Sequence, residues 1–164
     1  VVHTREGHRP DLSDLPVEKH LRAVPGKRIG DVGPMGRILI RGEPGHDFIA
    51  GLSPLPEEVV IDKPGKGAFY HTELSRVLAA AAVQTVIICG VTTEVCVQTT
   101  AREANDRGYR VIVAADCCAS YLPEFHTAAL AMFASQGGIV GFVSDSQAII
   151  AALEKAQASS DVDN

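Results

Sequence analysis

At 164 residues, with 46% hydrophobic and 21% charged side chains, the chain has the length and composition of one soluble globular domain. A net charge of −5 with no basic block argues against nucleic acid or an anionic membrane surface as the main partner. No apolar run approaches the roughly 20 residues of a membrane span, and no repeat stands out.

In chain order, Val1-Val2-His3-Thr4-Arg5 reads as a short strand that runs straight into Glu6-Gly7-His8-Arg9-Pro10-Asp11. Residues 16 to 58 are rich in Pro and Gly and read as ordered loop, since scattered Ile, Leu and Phe give it something to bury. Only Arg37-Ile38-Leu39-Ile40-Arg41 suggests a short or edge strand. From Val59 the rhythm becomes regular. Val59-Val60-Ile61-Asp62 is a strand, Lys63 to Phe69 a glycine-rich turn with two lysines, and Thr72 to Ala82 a helix capped by Thr72. Thr85 to Val91 is a β-branched run that reads as a buried parallel strand. A helix then runs to about Arg107 and stops at Gly108.

Arg110 to Ala115 is the next strand, Pro123 to about Ser135 a helix ended by Gly137-Gly138, and Ile139 to Val143 a strand. Ser144 or Asp145 caps a last helix to about Ala156, with Ser144 and Gln147 at capping-box spacing. Strands alternating with helices through short loops predict right-handed βαβ units: an α/β fold with a mostly parallel, doubly wound sheet between two helical layers. One domain is expected over 1–158, with 159–164 as a frayed acidic tail.

In such a sheet the active site lies outside the carboxyl ends of the strands, which sorts the candidate residues. Lys63, Cys96 and Asp116-Cys117-Cys118 each follow a strand, so all emerge at one edge if the strands are parallel. If Thr92 or Thr93 caps the helix, Cys96 lies in its first turn, where free N–H groups and the helix dipole favour a thiolate and can hold an oxyanion. The competing reading of Cys96 is a small buried hydrophobe. An ammonium beside the thiol would favour the thiolate further, while the bland reading of Lys63 and Lys66 is a pair of solvated loop lysines. Pro64-Gly65-Lys66-Gly67 does not match a phosphate-binding loop.

Lys63 through Phe69 resembles the Lys-x-x-x-Ser/Gly-Ala-Phe motif of the isochorismatase-like cysteine hydrolases, and Gly90-Val91-Thr92-Thr93-Glu94-Val95-Cys96-Val97 resembles that family's nucleophile turn. The segments Thr4 to Asp11, Asp62 to Phe69 and Ser135-Gln136-Gly137-Gly138 are most similar to biuret and ureido-amide hydrolases. The resemblance implies an amidohydrolase releasing ammonia from a small amide or ureide such as biuret. Cys96 would be the nucleophile that forms a thioester and Lys63 the charge-stabilising member of the triad. The resemblance also implies a cis peptide between Val91 and Thr92, with the N–H groups of Thr92 and Cys96 as oxyanion hole and Lys66 and Gln136 as substrate residues. Gln136 reads equally as a surface residue at a helix end.

The family's third catalytic residue is an aspartate on a first, central strand that would lie before Val1. Asp11 and Asp14 lie in the wrong motif, and Asp62 should face away from Lys63. The expectation is therefore a truncated sequence or a lost base, two strands without their common neighbour, and weak or absent hydrolysis by this chain alone. The alternative to an enzyme is a catalytically impaired relative acting as a binding or structural subunit. A redox thiol protein is a third reading, on Cys96 and the 117–118 pair.

Related nicotinamidases hold a metal through an Asp-x-His…His cluster. Glu6-Gly7-His8 only faintly resembles it and His20 lies in a poorly defined loop, so no metal or other cofactor is expected. His8 reads as a loop histidine, His126 as helix surface, and Cys117-Cys118 as packing. Four cysteines without CxxC spacing, and no signal peptide, suggest reduced thiols in the cytoplasm. The resemblance also implies a homo-oligomer, a dimer or tetramer.

Overall fold

The computed structural model describes residues 1–162 and falls into two compact units, Val1–Val77 and Leu78–Asn164, each described by itself. In the first, β1 (Val2–Glu6) pairs in parallel with a later strand, Val59–Lys63, in continuous register from Val2 opposite Val59 to Glu6 opposite Lys63. Successive side chains on a strand face opposite ways. Arg5 and Asp62 therefore share one face, where Arg5 Nε donates to Asp62 Oδ1 at 2.6 Å, and Glu6 and Lys63 share the other.

The long excursion between these strands is ordered, as its apolar residues suggested. It holds the one-turn helix α1 (Val17–Leu21) and a minimal antiparallel ladder of β2 (Val32–Gly33) and β3 (Gly36–Arg37), followed by two 3₁₀ turns. The strand expected over 37–41 is cut short because Leu39 adopts φ +54°, which breaks an extended run. Ile40 beyond it is buried and bridges His8: the His8 N–H donates to Leu39 O at 2.8 Å, and the Arg41 N–H to His8 O at 2.9 Å. That stitching fastens the excursion to the end of β1. The strand Val59–Lys63, β4, leads into a turn and then α2 (Leu74–Ala80), whose Leu74 N–H donates to Thr72 Oγ1 at 3.3 Å in the expected capping role.

The second unit is built on β5 (Thr85–Val91), β6 (Arg110–Ala119) and β7 (Phe142–Ser144), all parallel in the order β5-β6-β7. Helices α3 (Gln98–Asp106), α4 (Pro123–Gly138) and α5 (Ser146–Val162) follow the strands in turn, as the alternating pattern predicts. Gly108 ends α3 at φ +85°. The core is Val111, Val113 and Ala114 of β6 with Val97, Ala101, Ala104, Ala129, Phe133 and Val140. Phe133 is fully enclosed, which contributes about 1.5–3 kcal/mol.

Three local expectations need correction. β5 is not buried throughout: among the described residues β6 is its one hydrogen-bonded neighbour, and Ile87, Cys89 and Val91 form an exposed face. β7 starts at Phe142 because Ile139 still bonds back to Ser135 O at 3.0 Å and continues the end of α4. The last helix runs to Val162 and not to about Ala156; Asp163 and Asn164 lie outside the described residues. Of the two caps expected for α5, Asp145 takes the role, its Oδ1 accepting from the Ala148 N–H at 2.7 Å, while Ser144 belongs to β7.

Candidate active site

Cys96 sits where β5 hands over to the helix behind it. The Val91–Thr92 peptide is cis, as the motif implied. Thr92 is in extended conformation at the head of a π-helical turn, Thr93–Val97, and its carbonyl accepts from the N–H groups of Val95 at 3.1 Å and Val97 at 3.2 Å. Its hydroxyl makes no capping bond, so the turn is closed by backbone alone. Cys96 is half-buried, one residue before the end of this turn. The turn's amides and the positive end of α3 therefore surround the sulfur's stretch of chain.

Two polar side chains of the turn are unusual. Thr93 is fully buried and its Oγ1 lies 2.8 Å from Nδ1 of His126, in the first turn of α4. Glu94 buries Oε2 with no hydrogen-bond partner among the described residues. His126, read from sequence as helix surface, is thus half-buried and bonded to the nucleophile turn. A signal existed: His126 lies three and seven residues before Ala129 and Phe133, both buried, and so on their face of the helix.

The remaining cysteines divide. None of the four is paired in a disulfide. Cys117 is exposed and Cys118 half-buried, so the adjacent pair is not core packing as expected. Burial pushes the Cys118 thiol up to about 11, with Cys89 and Cys117 close enough to add to it. Burial, then Cys117, also raises Cys89. Gln136 is exposed, at φ 52° and ψ 37° beyond the regular part of α4.

In the first unit Lys63 is a buried cation at the carboxyl end of β4, 3% exposed, and not the solvated loop lysine of the bland reading. Its Nζ donates to the carbonyls of Gly65 and Lys66, each at 2.9 Å, so the glycine-rich turn is wrapped around the ammonium. Lys66 points outward and its Nζ meets both carboxylate oxygens of Glu6, at 2.7 and 2.8 Å. The structure thus brings Lys63, Lys66 and Glu6 together, on the strand face opposite Asp62.

His8, expected in a loop, is fully enclosed, with Nδ1 3.5 Å from Asp14 Oδ1. His46 is also buried, its Nε2 3.6 Å from Asp62 Oδ1. Burial lowers the pKa of both rings, against the pull of those aspartates. Among the described residues no three His, Cys, Asp or Glu side chains are grouped to hold a metal.

An isochorismatase domain matches residues 1–145. A ureidoacrylate amidohydrolase of Methylobacterium radiotolerans is 36% identical over 118 residues, which cover 71% of this chain and 45% of that protein. A maleamate amidohydrolase of Pseudomonas putida is 32% identical over 97 residues, 59% of this chain and 46% of that protein. The chain spans about half the length of the curated relatives it matches. Among solved structures, a cysteine hydrolase from Pseudomonas syringae pv. phaseolicola superposes with a TM-score of 0.80 at 29% identity, covering 95% of this chain and 72% of that one. The parallel α/β arrangement expected from sequence is the fold of these hydrolases.

Proposed function

Because the chain belongs to the isochorismatase family, we propose that it cleaves a C–N bond of a small linear amide or ureide, with Cys96 as nucleophile. The Cys96 sulfur attacks the carbonyl carbon, and the N–H groups of Thr92 and Cys96 hold the oxyanion. The C–N bond breaks, the nitrogen takes a proton and leaves as ammonia, and a thioester remains. Water then adds to the thioester carbonyl, releasing the carboxylic acid and restoring the thiol. Lys63 supplies fixed positive charge, and Lys66 and Gln136 offer hydrogen bonds to the carbonyl and amide groups of a planar ureide.

The observation that carries this reading is the place of Cys96: half-buried in the first turn behind the carboxyl end of β5, where helical amides can hold an oxyanion. Its support is the isochorismatase-domain match over residues 1–145, a range that contains both motifs, and relatives named for ureidoacrylate and maleamate hydrolysis. Biuret is the narrower substrate we propose, on the Lys63 to Phe69 segment. The reading includes a cytoplasmic homo-oligomer, to which exposed apolar side chains such as Ile150 and Leu153 on α5 are suited.

The test is ammonia release from biuret, triuret, ureidoacrylate, maleamate and nicotinamide, with Cys96→Ala as control. The expected result is weak release from one linear amide or ureide that vanishes in the Cys96→Ala protein. Silence on the whole panel from folded protein overturns the reading in favour of a binding subunit.

A further inference from the structure

The nucleophile turn has no side-chain cap; Thr92 O gathers the Val95 and Val97 amides, and the Gln98 N–H closes onto the Thr93 and Val95 carbonyls. Single π turns are frequent at functional sites, and the placement of Cys96 and its amides depends on how this turn is seated against the rest of the unit. The Thr93 hydroxyl, three residues before Cys96, is fully buried and has one side-chain partner, Nδ1 of His126 at 2.8 Å. A buried hydroxyl without a partner is costly, so this bond is decisive for where Thr93 sits.

The histidine in turn cannot drift. It follows Pro123, which fixes the start of α4, and the His126 N–H bonds to Leu122 O at 3.2 Å. On the same helix face Ala129 and Phe133 are locked in the core of the unit. The core therefore fixes α4, α4 fixes the imidazole, and the imidazole fixes the turn.

We infer that His126 is a positioning residue for the nucleophile turn, acting through the Thr93 hydroxyl. It need not touch substrate to do this. Its effect is on the placement of Cys96 and the amides beside it, and so on the barrier rather than on substrate affinity. The inference rests on the reading of Cys96 as nucleophile for its kinetic consequence, but not for its structural one.

Four variants separate the bond from the bulk. Thr93→Val and His126→Leu keep size and delete the bond; Thr93→Ser and His126→Asn keep a polar partner at the same place. The expected result is a kcat lower by about tenfold or more in the Val and Leu variants with KM within about twofold, because small displacements of reacting groups are costly. The Ser and Asn variants should stay within about threefold of the parent, and the Val/Leu double variant should be no worse than either single one, as for two ends of one interaction. Amide hydrogen exchange over residues 93–98 is the second readout, expected to quicken in the Val and Leu variants and not in the Ser and Asn ones.

Unchanged exchange in the Val and Leu variants overturns the inference, as does an equal fall of kcat in all four. Absence of turnover in the parent bears on Cys96 chemistry alone, and the exchange result then decides the role of His126.

Discussion

Lys66 Nζ lies within 2.8 Å of both carboxylate oxygens of Glu6, whose own side chain is 8% exposed. The lysine assigned to substrate is therefore already neutralised, and a carboxylate-bearing substrate would have to approach a pair, not a free cation. Glu6→Gln leaves the ammonium uncompensated. For ureidoacrylate and maleamate KM should fall about fivefold, the worth of roughly 1 kcal/mol, with little change for uncharged biuret. Steady-state kinetics on the three substrates checks this.

Lys63 has a structural duty beside its proposed catalytic one. Lys63→Met removes the ammonium bonds to the Gly65 and Lys66 carbonyls and leaves those carbonyls short of a donor. Stability should fall by about 1–3 kcal/mol, read from urea unfolding, together with loss of turnover. Lys63→Arg should not restore activity, since a planar guanidinium cannot occupy the place of a compact ammonium.

Acid should weaken the first unit before carboxylates begin to titrate. Burial holds His8 and His46 below 6.5 in the folded chain. The unfolded chain therefore binds protons first, and stability is intact above about pH 6.5, declines as pH falls through that value, and levels off below the folded pKa values. The urea midpoint should drop between pH 7.5 and 5.5, and a His8→Gln, His46→Gln double variant should flatten that slope.

The thiols should alkylate in a defined order. At pH 8 a thiol at about 11, as for Cys118, is ionised to roughly one part in a thousand, and only the thiolate reacts. Iodoacetamide followed by peptide mass spectrometry should find exposed Cys117 modified well before Cys118. Raising the pH to 10 should speed modification of Cys118 about ninetyfold, as its ionised fraction rises.

The second unit was the more legible in sequence because its elements are short-range objects. β5 runs from Thr85 to Val91 as read, since a β-branched run closed by Gly90 leaves little choice, and Gly108 marks the end of α3 because an αL residue is needed there. Asp145 and Ser144 compete for one cap, and the end of β7 decides between them, a tertiary fact the spacing to Gln147 does not contain.

In the first unit, Leu39 at positive φ and the enclosure of His8 result from the excursion folding back on β1, contacts between residues some thirty positions apart. Of the candidate site, the places of Lys63 at the end of β4 and Cys96 behind the end of β5 were legible from motif and strand-end position. His126 was missed because a polar residue on an amphipathic helix is read outward by default, although its spacing to Ala129 and Phe133 pointed inward.

The π turn also sets an angular phase. Between Thr92 O and the Val97 amide it carries one residue more than an α turn would, and one residue on a helix is worth about 100° of rotation. Ala101 and Ala104 meet the core only because that extra residue has been counted. Deleting any one residue between Thr93 and Val97 would let the turn close as regular helix and swing both alanines toward solvent. A length change there would unseat the whole of α3, so the number of residues in this stretch is fixed by the packing of the helix behind it, separately from what their side chains do.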